Sequence, residues 1–128
     1  MVPHPRVLIV DDSPVVLAIL KAVFTAENYD VVTASGGHQG FELALCSALD
    51  LLVTDSVMPG VDGFGLLRLL KAHPSTRSIP VIMLTSGDMM DLGSPADRPK
   101  PDAYAVKSTS MDALVTLARD VMAASRIL

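Results

Sequence analysis

The side chains in this sequence that could do chemistry follow short apolar runs. Asp11 and Asp12 come after one run, Asp55 ends another, and Lys107 follows a third. Asp55 stands just before Pro59-Gly60, a dipeptide that turns the chain. A carboxylate at the carboxyl end of a buried strand is a candidate nucleophile, although a lone aspartate there more often caps a turn. The secondary structure predicted around Asp55 is needed to choose between a nucleophile and a turn cap.

The apolar runs predict short β-strands buried on both faces of a sheet. They are Val7–Val10, Tyr29–Ala34, Leu51–Asp55, Pro80–Thr85 and Ala103–Val106. Segments with helical periodicity or helix-start signals follow four of them: Ser13–Thr25, His38–Ala48, Val61–His73 and Ser110–Ser125. This alternation predicts an α/β fold, a parallel sheet with helices on both faces. For five strands we expect the flavodoxin-like, doubly wound order 2-1-3-4-5.

The length and composition are those of one globular domain over residues 1–128. Hydrophobic residues make up 50% and charged residues 19%. The single cysteine, Cys46, excludes an internal disulfide and fits a reducing compartment, and the N-terminus lacks a signal peptide. The net charge of −4, with no basic patch, argues against direct binding to nucleic acid, and no apolar run is long enough for a membrane span. We therefore expect a cytoplasmic domain.

The predicted sheet brings the polar residues together, because the carboxyl ends of parallel strands meet at one edge. Asp11, Asp12 and Asp55 would crowd there, and their repulsion would raise their proton affinity unless a cation lay between them. A hard divalent cation with oxygen ligands, Mg²⁺ in a cell, fits that need. Lys107 and the hydroxyl of Thr85 could then hold the oxygens of a phosphoryl group.

With these motifs in order, the sequence resembles the receiver domain of two-component response regulators over Arg6–Ala124. The matching motifs are Asp11-Asp12-Ser13-Pro14, Asp55 with Met58-Pro59 and Asp62-Gly63, Ile79–Ser86, and Tyr104–Lys107. Each motif is weak alone, but all of them at the family's spacings make a specific pattern.

The resemblance implies a phosphoacceptor site. Asp55 would accept a phosphoryl group from a histidine-phosphate donor and form an acyl phosphate. Asp12, Asp55 and the backbone carbonyl of Val57 would ligate Mg²⁺ directly, and Asp11 would bind it through water.

The resemblance also implies a conformational switch and a class of partner. Lys107 would pair with the phosphoryl oxygens, Thr85 would move to hydrogen-bond the phosphoryl group, and Tyr104 would swing inward to fill the vacated space. The donor would be a sensor histidine kinase or a histidine phosphotransfer protein. Such a domain is a signalling module and not an enzyme acting on other substrates.

The sequence departs from the family pattern at several positions. Ser108 follows Lys107 where the family usually has a proline after a cis peptide bond, and a cis bond before serine would cost about 2.5–4 kcal/mol. We therefore predict a trans bond. Ser56 is small and polar where an apolar residue is usual. Val15 and Ala18 are apolar in the first helix, where they form either a docking patch or additional core packing.

The largest departure lies at Gly87–Asp102, where the family carries a helix between the fourth and fifth strands. Gly93 interrupts any helix begun at Asp88, and Pro99 and Pro101 disfavour helical conformation in the residues before them. We predict one or two helical turns at most.

Two other functions are open at this point. A receiver-type fold could serve as an interaction module that signals without phosphorylation. An aspartyl-phosphate phosphohydrolase of the haloacid-dehalogenase type also uses an α/β sheet, but it places two acids in an Asp-x-Asp pair. Asp11-Asp12 is adjacent instead, and Asp55-Ser56-Val57 lacks the second acid.

Overall fold

The computed structural model describes residues 4–86 and 99–127, where five strands and four helices form. The strands are β1 (Arg6–Val10), β2 (Asp30–Ala34), β3 (Leu51–Asp55), β4 (Val81–Thr85) and β5 (Ala103–Val106). The helices are α1 (Pro14–Ala26), α2 (Gly37–Cys46), α3 (Gly63–Ala72) and α4 (Met111–Ile127). The predicted elements are all present, with bounds that differ by only a few residues.

The strands form one parallel sheet in the order β2-β1-β3-β4-β5, which confirms the predicted topology. Each strand between the edges is buried on both sides, because two separate apolar clusters cover the sheet. Alternate residues of the strands pack against α1 and α4 on one face and against α2 and α3 on the other. This arrangement leaves the carboxyl edge of the sheet to the loops that carry polar residues.

Local signals in the sequence fix where helices begin and end near that edge. Ser13 caps α1 by accepting a hydrogen bond from the Val16 amide at 3.3 Å, and Pro14 takes the first helical position. Asp62 caps α3 in the same way, with its carboxylate 2.7 Å from the Gly65 amide. The caps set the direction in which both helices leave the site.

Aspartates secure the opposite edge of the sheet, where strands begin. Asp50 accepts a hydrogen bond from the Arg6 amide at 2.8 Å, and its own amide donates to the Arg6 carbonyl. Asp102 does the same for Val81, again at 2.8 Å. Each of these aspartates thereby ties the start of one strand to the start of its neighbour, which fixes the register on which the site depends.

The departure predicted at Gly87–Asp102 falls mostly on residues 87–98, which lie outside the described residues. The described part, Pro99–Asp102, belongs to no helix or strand, as predicted. None of the helices in the described residues is long and apolar enough to cross a membrane.

Candidate phosphoacceptor site

Three carboxylates meet at the carboxyl edge of the sheet, as the sequence predicted. Oxygens of Asp11, Asp12 and Asp55 all lie within 4.8 Å of one another, a separation that suits shared binding of one metal ion. Asp11 and Asp55 are buried, whereas Asp12 is exposed. The N-cap of α1 is Ser13, so Asp12 does not serve as the helix cap.

Lys107 reaches this cluster from the edge strand. Its Nζ donates a hydrogen bond to Oδ2 of Asp55 at 3.0 Å, and its amide donates to the Thr85 carbonyl at 2.7 Å. Burial alone would lower the pKa of Lys107, but the hydrogen bond and charge of Asp55 outweigh burial and raise it. The ammonium group therefore stays charged beside Asp55, where it can hold an anion.

Asp11 has one carboxylate oxygen that is buried without a hydrogen-bond donor or cation among the described residues. Its Oδ1 accepts a hydrogen bond from the Ser13 amide at 2.9 Å, but Oδ2 is buried without a partner among the described residues. Burial raises the pKa of Asp11; the Ser13 hydrogen bond opposes the rise and the charge of Asp55 adds to it. An anionic Asp11 is thus costly here unless a cation is bound.

We expect the substitution Asp11→Asn to raise the stability of the metal-free protein at neutral pH by about 1–2 kcal/mol. Asparagine keeps the oxygen that accepts from the Ser13 amide and removes an uncompensated buried charge. Because folding raises the pKa of Asp11, the wild-type penalty is absent below the ordinary pKa of aspartate and grows as pH rises.

Urea unfolding in EDTA measures this difference, with Asp120→Asn, at an exposed position on α4 away from the acidic cluster, as the matched control. A loss of stability in Asp11→Asn at neutral pH would show that the Asp11 carboxylate is satisfied without metal.

The remaining predicted residues also lie at this edge, but their roles stay predictions. Thr85 is buried at the end of β4 and pairs in register with Val106. Tyr104 is 42% exposed on β5, so its ring is not packed inward in this structure. Val57 donates its amide hydrogen to Oδ1 of Asp55 at 3.3 Å, which places its peptide unit beside that carboxylate.

Gly63 holds the loop after β3 in place, a role that the sequence analysis missed. A Cβ atom at Gly63 would overlap the Asp55 carbonyl oxygen and would lie 2.6 Å from the sulfur of Met83. The Gly63 amide also donates to the Ser56 carbonyl at 3.1 Å. In this loop Gly60 has a φ of 74°, which favours glycine. The Asp62-Gly63 motif was the only sequence signal for this close approach.

The departures from the family pattern have visible structural consequences. The Lys107–Ser108 peptide bond is trans, as predicted. The Ser56 hydroxyl is buried with no hydrogen-bond partner among the described residues. Val15 is 67% exposed and Ala18 is exposed as well, so neither adds to the core.

Comparison with known proteins decides the family. The sequence-family model of the response regulator receiver domain matches residues 7–119 of this chain. The chain belongs to the receiver domain family. Response regulator PleD of Caulobacter vibrioides is 42% identical over 83 residues, which are 65% of this chain and 18% of PleD. Protein PilH of Pseudomonas aeruginosa is 40% identical over 83 residues, 65% of this chain and 69% of PilH. The chain thus spans less than a fifth of PleD.

Solved receiver structures share this fold. The receiver domain of a signal transduction histidine kinase from Syntrophus aciditrophicus superposes with a TM-score of 0.86 at 28% identity, over 94% of this chain and 92% of that one. The receiver domain of a sensor histidine kinase from Pseudomonas aeruginosa gives 0.83 at 22% identity, over 94% and 98%. The latter structure has a magnesium ion coordinated in its active-site cleft.

Proposed function

We propose that this receiver domain is a phosphoacceptor in two-component signalling, taking a phosphoryl group on Asp55 from a phosphohistidine protein with the help of Mg²⁺. The observation that carries the proposal is the environment of Asp55. Its carboxylate lies beside two other acids on one side and the ammonium group of Lys107 on the other. A nucleophile for phosphoryl transfer needs a metal site and a cation at the transferred oxygens.

The residues present suit Mg²⁺. Asp12 and Asp55, with the Val57 carbonyl, would hold the ion directly, and Asp11 would bind through water. The orphaned Oδ2 of Asp11 is the acceptor that such a water requires, and the exposure of Asp12 leaves room for the other waters that Mg²⁺ keeps. When bound, the ion would offset the negative charge shared by the acids and the incoming phosphoryl group.

This chain's own side chains would then orient the reaction. The amide of Val57 holds Oδ1 of Asp55 and Lys107 holds Oδ2, so the carboxylate is fixed before the donor arrives. On transfer, the Lys107 ammonium group would donate to an oxygen of the phosphoryl group and no longer to Oδ2 of Asp55. The Thr85 hydroxyl would donate a hydrogen bond to another phosphoryl oxygen. Each such charge-assisted hydrogen bond contributes about 1.5–3 kcal/mol, which is enough to shift a population of conformers.

The proposal excludes turnover of external phosphate esters. A phosphohydrolase would need a second acid that acts on the leaving group, and Asp55-Ser56-Val57 supplies none. We expect acetyl phosphate with Mg²⁺ to add a single phosphoryl mass to the intact protein. No continuous release of phosphate from phosphomonoesters should accompany it. Steady turnover of such esters would favour the hydrolase, and an absence of labelling would favour an interaction module.

Mg²⁺ affinity is expected to depend on Asp12. We predict that Asp12→Ala weakens Mg²⁺ binding about tenfold or more, since loss of even an outer-shell partner costs 10–100-fold in other metal sites. Isothermal titration calorimetry with MgCl₂ measures this, and the exposed Asp112→Ala on α4 is the control. Equal affinities of wild type and Asp12→Ala would remove Asp12 from the ligand set.

A further inference from the structure

An apolar cavity of about 170 Å³ opens beside the phosphoacceptor site, between α1 and the start of α4. Its apolar wall comes from α1, from the ends of β4 and β5, and from α4. The apolar residues are Val16, Ile19, Leu20, Leu84, Val106, Met111 and Leu114. An apolar cavity of about 150 Å³ in a protein interior is large enough to bind benzene. This cavity therefore has room for a group of about six carbons.

The cavity and the acidic cluster share two residues. Asp11 and Lys107 line the cavity, and both belong to the site around Asp55, where Lys107 lies 3.0 Å from the carboxylate. A molecule whose charged end lies against Asp55 and Lys107 could therefore extend its other end into the cavity. Past these two residues and Thr109, the side chains that line the cavity within residues 4–86 and 99–127 are all apolar.

One small residue after Lys107, Thr109, lines the cavity. The turn that carries Thr109 is held by a 2.8 Å hydrogen bond from its amide to the Val106 carbonyl. Ile19 is 50% exposed and Val106 is 40% exposed, so the apolar wall continues to the surface. A ligand could enter from solvent without any opening of the core.

We propose that this cavity is a subsite for the carbon chain of a medium-chain acyl phosphate, which would serve as a small-molecule phosphodonor to Asp55. The proposal rests on the proposed phosphoacceptor function. In an acyl phosphate the apolar chain begins two bonds from the bridging oxygen, so an anionic phosphoryl group and an apolar body adjoin one another as the site and the cavity do. Six carbons match the volume.

The transfer step balances without a further reactant. An oxygen of the Asp55 carboxylate attacks phosphorus, the bond between phosphorus and the bridging acyl oxygen breaks, and the electron pair stays on that oxygen. The products are the aspartyl phosphate and the free carboxylate, such as hexanoate. No proton is transferred and nothing is oxidised or reduced.

The test compares acetyl, butyryl and hexanoyl phosphate as donors to the whole chain with saturating Mg²⁺, by intact mass. We expect the second-order rate constant for labelling to be about ten times larger or more with hexanoyl phosphate than with acetyl phosphate. Each fully buried methylene group contributes a factor of about four to the affinity for the donor. A flat series in the wild type would overturn the proposal while leaving the phosphoacceptor function intact. No labelling by any donor would overturn both.

Two variants and a matched control locate the subsite. Thr109→Leu fills the cavity, so its hexanoyl-to-acetyl ratio should fall to within about twofold of one; Ile19→Gln, at a half-exposed position, should lower the ratio without filling the core. Thr116→Leu makes the same chemical change on an exposed face of α4 and should keep the wild-type ratio. Equal ratios in Thr109→Leu and wild type would place the chain elsewhere and overturn the proposal.

A binding measurement makes the test independent of phosphorylation. Titration with sodium hexanoate, the leaving group, should shift the methyl resonance of Met111 and those of Leu114, whereas sodium acetate at equal concentration should not. Identical responses to both salts would contradict a subsite for the carbon chain.

Discussion

Replacing Asp55 by asparagine is expected to abolish labelling by acetyl phosphate and Mg²⁺. Asparagine retains the size of aspartate and can still accept from the Val57 amide, but its amide group is not a nucleophile toward phosphorus and it offers Lys107 no charge. Intact mass after reaction should show one added phosphoryl mass in the wild type and none in Asp55→Asn. Peptide mapping after borohydride trapping should place the modification at residue 55.

The control for this result is Asp112→Asn, which removes an exposed carboxylate on α4 and should label like the wild type. Equal labelling of Asp55→Asn would show that another side chain accepts the phosphoryl group. Asp11 and Asp12 would then be the first candidates, since they share the cluster.

Replacing Gly63 by alanine is expected to lower the free energy of unfolding by about 3 kcal/mol, the upper part of the range for overpacking. The new methyl group would overlap the Asp55 carbonyl oxygen and press on the sulfur of Met83, and the backbone at Asp55 cannot move without disturbing β3. Urea unfolding followed by circular dichroism measures the change.

Gly36→Ala is the matched control, because a Cβ atom there would meet nothing within 4 Å. Its stability should fall by no more than about 1 kcal/mol, because Gly36 is the N-cap of α2 and alanine is a poorer cap than glycine. Where Gly63→Ala is still folded, its acetyl phosphate labelling should be slower as well, since any relief of the overlap displaces the end of β3, which carries Asp55. Wild-type stability in Gly63→Ala would show that the loop shifts freely.

The sequence was sufficient for the fold and for the grouping of site residues, and both successes have one cause. Five short apolar runs alternating with helical segments allow few topologies, and in a parallel sheet every strand ends at the same edge. Asp11, Asp55 and Lys107 therefore had to meet once the strands were placed, whatever their separation along the chain. The start of α1 at Ser13-Pro14 could also be predicted, because the proline at the first helical position is a local signal.

Features that depend on distances between elements could not be predicted in the same way. The crowding around Gly63 arises because α3 begins against the end of β3, and the sequence shows neither the approach nor the position of Met83. The cavity by Thr109 depends on the volume left between α1 and α4, which no periodicity reveals. Motion of Thr85 or Tyr104 would require a second conformation of the protein, and the sequence pattern does not specify one.

The aspartates at the beginnings of the strands decide where this chain can be opened. A circular permutation that separates Asp50 from Leu51, or Asp102 from Ala103, would release a carboxylate that holds the neighbouring strand. A new terminus at the exposed Ala48 would leave Asp50 in place. Fusions and biosensors built on this domain would therefore tolerate an insertion at Ala48, ahead of Asp50, far better than one between Asp50 and Leu51.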